Sequence, residues 1–136
     1  DGVAEGMPLI SPSGLLLGRV SEVMNNFSRV ELISLKDKAF EVILKTETGD
    51  VLAAANGLGN FGLGFQWVPN EQALTAGSSV FTSQLGSKYP GGLLVGEVIS
   101  FVKNDAEAFQ SGKIKPFFTS ERLGQAFLIT NFNQVE

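Results

Sequence analysis

The fold is decided by a short stretch that occurs twice, as Gly14-Leu15-Leu16-Leu17-Gly18-Arg19-Val20 and as Gly92-Leu93-Leu94-Val95-Gly96-Glu97-Val98. Each copy follows another segment headed by a glycine, Gly6 in the first case and Gly77 in the second. A glycine inside an apolar strand indicates a sharp bend or a bulge, which is how a short sheet curls into a barrel. The repeat therefore predicts two related small β-barrels, the alternative being coincidence among glycine-rich hairpins.

The rest of the chain also predicts an all-β fold. Sixteen of the 136 residues are glycine, helical periodicity is nearly absent, and short apolar runs alternate with turn residues. Antiparallel strands are expected at residues 7–10, 15–24, 29–35, 40–45, 50–55, 61–68, 80–83, 93–103, 113–118 and 126–132. One helical turn is expected at residues 119–125.

The repeat also suggests a division of the chain. We expect a first small barrel over residues 1–45 and a second over 46–118, with the boundary near Lys45. The final segment, 119–136, is expected to return and complete the first barrel, because a small barrel needs its edges closed.

Composition excludes several classes of function. The chain has no Cys and no His, so it offers no disulfide, no thiolate nucleophile, no Cys/His zinc site and no imidazole base. A net charge of −4 argues against nucleic-acid binding. No apolar run of about 20 residues is present, and the sequence starts at Asp1, so we expect an excised part of a longer protein.

No motif indicates catalysis or a cofactor. Residues 57–62 satisfy the G-x-G-x-x-G string but lead into a predicted strand, whereas a dinucleotide site requires a helix there. The carboxylates Glu22, Glu97, Asp105 and Glu107 follow no spacing rule of an acid–base pair. We therefore expect no enzyme, no metal and no cofactor, and binding is the default function.

One strand is a candidate binding face. Phe61, Leu63, Phe65 and Trp67 alternate with smaller residues and are expected to share one side of a strand. Two interpretations stay open, a face in the core and an exposed aromatic face that binds a protein or stacks on sugars.

Residues 76–98 contain a strand, then Thr82-Ser83-Gln84-Leu85-Gly86, Tyr89-Pro90, Gly92-Leu93 and Val95-Gly96-Glu97-Val98. This series resembles the rod shape-determining MreC family. Residues 2–20 resemble the first β-segment of that family, and residues 114–129 resemble its closing helical turn and strand. The resemblance covers almost the whole chain.

The resemblance implies two barrels arranged as in chymotrypsin-like proteases but without a catalytic triad. It implies a periplasmic, extracytoplasmic location, with an anchor at the inner membrane supplied by an N-terminal segment absent from this sequence. It further implies a scaffold of the cell-elongation machinery that binds a class B penicillin-binding protein, favours its active conformation, contacts an MreD-like membrane partner and forms dimers or filaments. Peptidoglycan binding is the alternative function.

Two sets of residues follow from the repeat, the aromatic strand and the resemblance together. The partner-binding candidates are Phe61, Phe65, Trp67, Leu85, Tyr89 and Leu93. The structural positions of the motif are Gly6, Gly14, Gly18, Gly77, Thr82, Ser83, Gly86, Pro90, Gly92 and Gly96.

Overall fold

The computed structural model describes residues 3–60, 62–86, 88–103 and 105–117, together with the backbone of 127–128. These residues form ten β-strands and one short 3-10 helix, Gln84–Gly86, so the predicted all-β class is confirmed. Within these ranges, no helix is long and apolar enough to cross a membrane. The strands are β1 (Pro8–Ile10), β2 (Leu16–Val23), β3 (Ser28–Leu32), β4 (Ala39–Thr46), β5 (Gly49–Gly59), β6 (Gly62–Pro69), β7 (Ser79–Thr82), β8 (Leu94–Lys103), β9 (Phe109–Pro116) and β10 (Phe127–Leu128).

The strands form two units of different kinds. Strands β4-β5-β6-β9-β8-β7 make a closed antiparallel barrel. The described residues of the first unit form a four-stranded sheet in the order β10-β1-β2-β3, where a second closed barrel was expected. Strand β10 pairs with β1, so Phe127 and Leu128 belong to the sheet of the first unit.

The boundary expected near Lys45 falls inside β4. All eight residues of β4 pair with β5, and Val42, Ile43 and Leu44 also pair with β7. Strand β4 therefore belongs to the closed barrel, because it is the strand that closes it. We propose that the division between the units lies between Leu32 and Ala39.

The core runs through both units without a break. On β4, alternate residues point into the barrel, namely Phe40, Val42 and Leu44. Leu16 and Leu17 of the first sheet are buried in the same apolar cluster. Apolar burial is the main favourable term in folding, so the shared cluster stabilises both units together.

The two copies of the repeat have the same glycine geometry. A side-chain carbon added at Gly18 would overlap the backbone carbonyl of Glu31, and one added at Gly96 would overlap that of Lys115. Each glycine thus permits a close approach by the next strand. The predicted bulges lie next to these glycines, since the pairing with the preceding strand shifts at Leu17 and at Val95. A second bulge follows in each strand, at Ser21 and at residue 99, in the pairing with the next strand.

Two expectations lie outside the described residues. These are the helical turn at residues 119–125 and the position of Phe61.

Candidate interaction surfaces

A bulge in β6 decides which of its aromatic side chains reach solvent. The pairing of β6 with β9 shifts between Phe65 and Val68, and the backbone of Trp67 has a φ of 71°. The alternation of the strand therefore breaks: Phe65 and Val68 point into the barrel, whereas Trp67 turns outward and is 57% exposed. The strand is thus a core face at Leu63 and Phe65 and an exposed aromatic surface at Trp67.

Trp67 is the centre of an apolar surface on the barrel. Its ring packs edge-to-face on Phe109 of β9, with ring centroids 5.4 Å apart and planes at 80°. Leu52 is half-exposed beside it, and Trp67, Leu52 and Ala54 line a shallow pocket of about 210 Å³ with Glu41 at its border. We call Leu52, Ala54, Trp67 and Phe109 the aromatic patch.

Two of the predicted partner-binding residues lie in the core, which corrects that prediction. Phe65 is 2% exposed because it points into the barrel, and Tyr89 is 6% exposed because it packs edge-to-face on Phe40. Burial raises the pKa of Tyr89 to about 12. Neither side chain is accessible for direct contact with a partner.

The other predicted residues lie on or near the loop between β7 and β8. Leu85 is the most exposed large apolar side chain of the described residues, at 75%, and Leu93 is partly buried against the core. Lys88 donates from Nζ to the carbonyl of Ala39 at 2.9 Å, and burial, followed by the charges of Arg19 and Lys38, lowers its pKa. The loop thus offers one apolar side chain to solvent on an anchored backbone.

Buried hydrogen bonds fix that loop. Thr82 is 1% exposed; its Oγ1 donates to the carbonyl of Pro90 at 2.6 Å and accepts from the N–H of Leu93 at 2.9 Å. Ser83 Oγ accepts from the N–H of Leu85 at 3.1 Å. The hydroxyls of Thr82 and Ser83 thus fix the backbone of the loop.

The outer edge of β3 is a second surface. In the described sheet β3 pairs only with β2, and a groove of about 530 Å³ lies beside it. The groove is lined by Arg29–Leu32, Leu35 and the β5–β6 turn at Gly59-Asn60. Exposed ion pairs hold its charged side chains, Arg29 to Glu22 at 3.4 Å and Lys38 to Glu31 at 3.9 Å.

The acidic residues named in the sequence are spread over the molecule. Glu22 is bound to Arg29 on the first sheet, Glu97 lies on β8, and Asp105 and Glu107 are exposed between β8 and β9. Among the described residues, no group of three acidic side chains could hold a metal ion.

Sequence reasoning missed part of both surfaces. Phe109 and Leu52 join Trp67 only because the bulge turns Trp67 outward, and an alternation of period two contains no signal of a bulge. For the edge of β3 the sequence does contain a signal, the charged residues Arg29 and Glu31 on either side of Val30, which is typical of an exposed strand.

Comparison with known proteins identifies the family. The family model described as "Rod shape-determining protein MreC, barrel core" matches residues 1–130. The chain belongs to the MreC family. The predicted resemblance is therefore confirmed over nearly the whole sequence.

Two relatives carry the name cell shape-determining protein MreC. The Escherichia coli protein is 32% identical over 95% of this chain and 35% of its own length. The Listeria monocytogenes protein is 29% identical over 85% of this chain and 40% of its own length. This chain thus spans well under half the length of both relatives.

Solved MreC structures share the fold. MreC from Pseudomonas aeruginosa has a TM-score of 0.84 at 26% identity, covering 95% of this chain and 82% of that one. A structure described as the major periplasmic domain of the cell shape-determining filament MreC has a TM-score of 0.71 at 23% identity, covering 86% and 72%. MreC in a complex with a penicillin-binding protein from Helicobacter pylori has a TM-score of 0.70 at 22% identity, covering 89% and 74%.

Proposed function

We propose that this chain is the non-catalytic β-domain of a periplasmic cell-shape scaffold and that it binds a class B penicillin-binding protein. Membership of the MreC family supports the scaffold role, and the Helicobacter pylori complex supports the class of partner. The description of a related fold as a periplasmic domain supports the location. An MreD-like membrane partner and a membrane anchor stay predictions from the resemblance.

The exposure of Trp67 is the observation that carries the proposed contact. An indole that is 57% exposed and braced by Phe109 is a large, rigid apolar group held in place before a partner arrives. Interfaces derive much of their binding free energy from a few such aromatic residues. The half-exposed Leu52 and Ala54 would surround it with further apolar area.

The mechanism we propose is a shift in the conformational population of the partner. A scaffold that binds the active transpeptidase conformation more tightly than the inactive one raises the active fraction. A difference of about 1–3 kcal/mol in binding free energy changes the ratio by about 5- to 150-fold. The chain needs no catalytic group of its own for this effect.

Binding of the cognate transpeptidase ectodomain to Trp67→Gly tests the contact. Glycine removes the ring and accepts the positive φ of this position, so the barrel backbone is kept. We expect the affinity to fall about tenfold or more, because the centre of the patch is lost.

The matched control is Phe27→Ser, which removes an aromatic side chain that is 64% exposed on the β2–β3 turn. We expect it to bind as the wild type does. A folded wild-type chain that shows no binding at tens of micromolar would contradict the scaffold role. Equal affinities of wild type and Trp67→Gly would remove the aromatic patch from the contact.

Carbohydrate binding is the second candidate function, and the same open indole face favours it, because exposed aromatic rings stack on sugars. Trp67 is the only tryptophan, so its fluorescence reports directly on the patch. Titration with soluble peptidoglycan fragments separates the two functions. A saturable change in emission with the glycan, and none with the transpeptidase, would favour the carbohydrate.

A further inference from the structure

We propose that Arg19, Lys38 and Lys88 form a binding site for an acidic protein segment at the junction of the two units. We call these three residues the basic cluster. Arg19 belongs to β2 of the first sheet, Lys38 to the connection between β3 and β4, and Lys88 to the β7–β8 loop. The aromatic patch belongs to β5, β6 and β9 instead, so the site does not depend on the proposed contact at that patch.

Successive contacts bring the three cations to one surface. Lys88 Nζ donates at 2.9 Å to the backbone carbonyl of Ala39, the residue that follows Lys38. Lys38 Nζ lies 3.9 Å from Glu31 Oε2. Glu31 is the cross-strand partner of Arg19, so the side chains of these two residues leave the same face of the sheet. The fold thus places three positive charges around one carboxylate.

The basic cluster has an excess of positive charge. The three cations and the Glu31 carboxylate carry a net charge of +2, in a chain whose net charge is −4. Burial lowers the pKa of the Lys88 amine most, and the charges of Arg19 and Lys38 lower it further. Glu31 acts in the opposite direction. Because like charges held together repel one another, an anion bound among them would stabilise the arrangement.

The donor groups of the basic cluster fit carboxylates. The Arg19 guanidinium can donate two parallel hydrogen bonds to one carboxylate, and a lysine ammonium binds an oxyanion as a point charge. The Lys38 side chain is 52% exposed, so its amine is open to a second oxygen beside that of Glu31. The cations come from three separate segments of the chain. A ligand that carries several carboxylates along one backbone can meet more than one of them at once.

A short oligoglutamate peptide is the probe for this site, and oligoglutamine of the same length is its uncharged control. In an NMR titration at low salt, we expect this chain to bind oligoglutamate saturably below about 1 mM and oligoglutamine not at all. The binding is expected to be lost at about 0.5 M salt, where charges are screened within about 5 Å. Absence of saturable oligoglutamate binding up to about 1 mM overturns the proposal.

Removal of single charges locates the site. We expect Arg19→Gln and Lys38→Gln each to weaken oligoglutamate binding about threefold, and the two together about tenfold. Lys38 is the more exposed of the two, so Lys38→Gln keeps the test valid if Arg19→Gln lowers stability. Lys113→Gln is the matched control, because it removes the same charge from an exposed position on β9 and is expected to bind as the wild type does. Equal losses in Lys38→Gln and Lys113→Gln would overturn the proposal, since binding would then follow net charge alone.

The Lys88 amine gives a readout that net charge alone does not change. A carboxylate bound beside it opposes the charges of Arg19 and Lys38, as Glu31 already does. We therefore expect saturating oligoglutamate to raise the pKa of Lys88, followed by NMR of its side chain. An unchanged pKa of Lys88 in the bound state would place the peptide elsewhere and contradict the proposal.

Vesicles of phosphatidylglycerol test a lipid surface as the source of the anion. We expect them to bind this chain more weakly than oligoglutamate does, and Lys38→Gln to leave that binding unchanged. Vesicle binding that Lys38→Gln weakens, without any binding of oligoglutamate, would overturn the acidic protein segment in favour of a membrane.

Discussion

The β1–β2 hairpin and the β7–β8 hairpin have the same backbone frame and different turns. In the first, Gly6 donates to the carbonyl of Val20 at 2.8 Å; in the second, Gly77 donates to that of Val98 at 2.7 Å. At the turn, Leu15 N–H donates to Ser11 Oγ, and Leu93 N–H donates to Thr82 Oγ1. The two hairpins therefore share these backbone positions and hydrogen bonds, which we call the strand frame. They share them because each bond joins the two strands of a hairpin in the same curled arrangement.

The turns explain why only one of the two hairpins has a long loop with an exposed apolar side chain. Two residues, Pro12 and Ser13, separate Ser11 from Gly14, whereas residues 83–91 separate Thr82 from Gly92. The longer turn contains a 3-10 helix, buries Tyr89 against the barrel and exposes Leu85. Lengthening a turn between two fixed strands adds little to the entropy cost of folding, so a longer turn can supply additional exposed surface.

The strand that follows each hairpin, β3 after β1–β2 and β9 after β7–β8, shows a second difference. Strands β3 and β9 both pair with a bulged strand, β2 and β8 respectively. On its other side β9 pairs with β6 inside the barrel, while β3 has no neighbour on its outer side among the described strands. The strand that follows the repeat is thus an edge strand in the described part of the first sheet and an interior strand in the barrel.

The close strand approach at Gly18 and Gly96 gives the largest expected effect. Alanine at either position would overlap a backbone carbonyl of a paired strand, which cannot yield without moving the strand. We expect Gly18→Ala and Gly96→Ala each to lower the free energy of unfolding by about 3 kcal/mol in urea.

Gly14→Ala is the matched control for that pair. Gly14 has a φ of 87° and open space where the side-chain carbon would stand, so alanine costs only the backbone conformation, about 1 kcal/mol. If Gly18→Ala and Gly14→Ala cost the same, close approach is not the reason for the glycine inside the strand.

The hydroxyls of Thr82 and Ser11 accept equivalent hydrogen bonds, but we expect their removal to lower the free energy of unfolding by different amounts. Thr82→Val removes the hydroxyl of a fully buried residue that bonds both the Pro90 carbonyl and the Leu93 N–H, so we expect a loss of about 2–3 kcal/mol in the free energy of unfolding. Ser11 is only half-buried, so water can replace its hydroxyl, and Ser11→Ala is expected to cost about 1 kcal/mol or less.

Thr82→Ser keeps the hydroxyl and is the control for Thr82→Val. We expect urea denaturation of Thr82→Ser to give a stability within about 1 kcal/mol of the wild type. Equal losses in Thr82→Val and Ser11→Ala would show that burial does not distinguish the two turns.

The repeat made the strand frame predictable, because Gly14-to-Val20 and Gly92-to-Val98 show both the strands and the glycines that curl them. The unit boundary was less predictable, since β4 continues the alternation of the preceding strands and only its pairing with β7 assigns it to the barrel. The bulge at Trp67 was not predictable, because a positive φ at tryptophan is a tertiary outcome that no local pattern indicates. Of the four residues of the aromatic patch, only Trp67 was therefore a candidate from the sequence, and the placement of Leu52, Ala54 and Phe109 beside it was not visible there.

Titration of Tyr89 tests whether the longer turn is anchored by burial. Its pKa is raised to about 12, so the neutral phenol is favoured in the folded state. Below pH 10 the Tyr89 phenol keeps its proton in both the folded and the unfolded chain, so its full contribution to stability is present. Between pH 10 and 12 only the unfolded chain loses its proton, so the free energy of unfolding falls, by about 3 kcal/mol in total.

The measurement is the difference in unfolding free energy between wild type and Tyr89→Phe at pH 9 and at pH 11.5. Tyr89 is the only tyrosine, so absorbance of the phenolate in the folded protein gives the pKa directly. A folded-state pKa near 10 would mean that the longer turn leaves Tyr89 open to water.

Substitution of Leu85 is expected to have the smallest effect on stability. It tests whether the exposed surface of the loop binds a partner, separately from the buried residues that hold the loop. The side chain is 75% exposed, so Leu85→Ser is expected to change the free energy of unfolding by less than about 0.5 kcal/mol. If the loop joins the proposed contact, the affinity for the transpeptidase ectodomain falls about threefold or more, since a peripheral apolar contact contributes less than a central aromatic one. Val102→Ser removes a similarly exposed apolar side chain from a barrel strand and is expected to leave binding unchanged. Equal binding by Leu85→Ser and wild type would limit the contact to the barrel face, and the extra length of the second turn would then serve the core through Tyr89 alone.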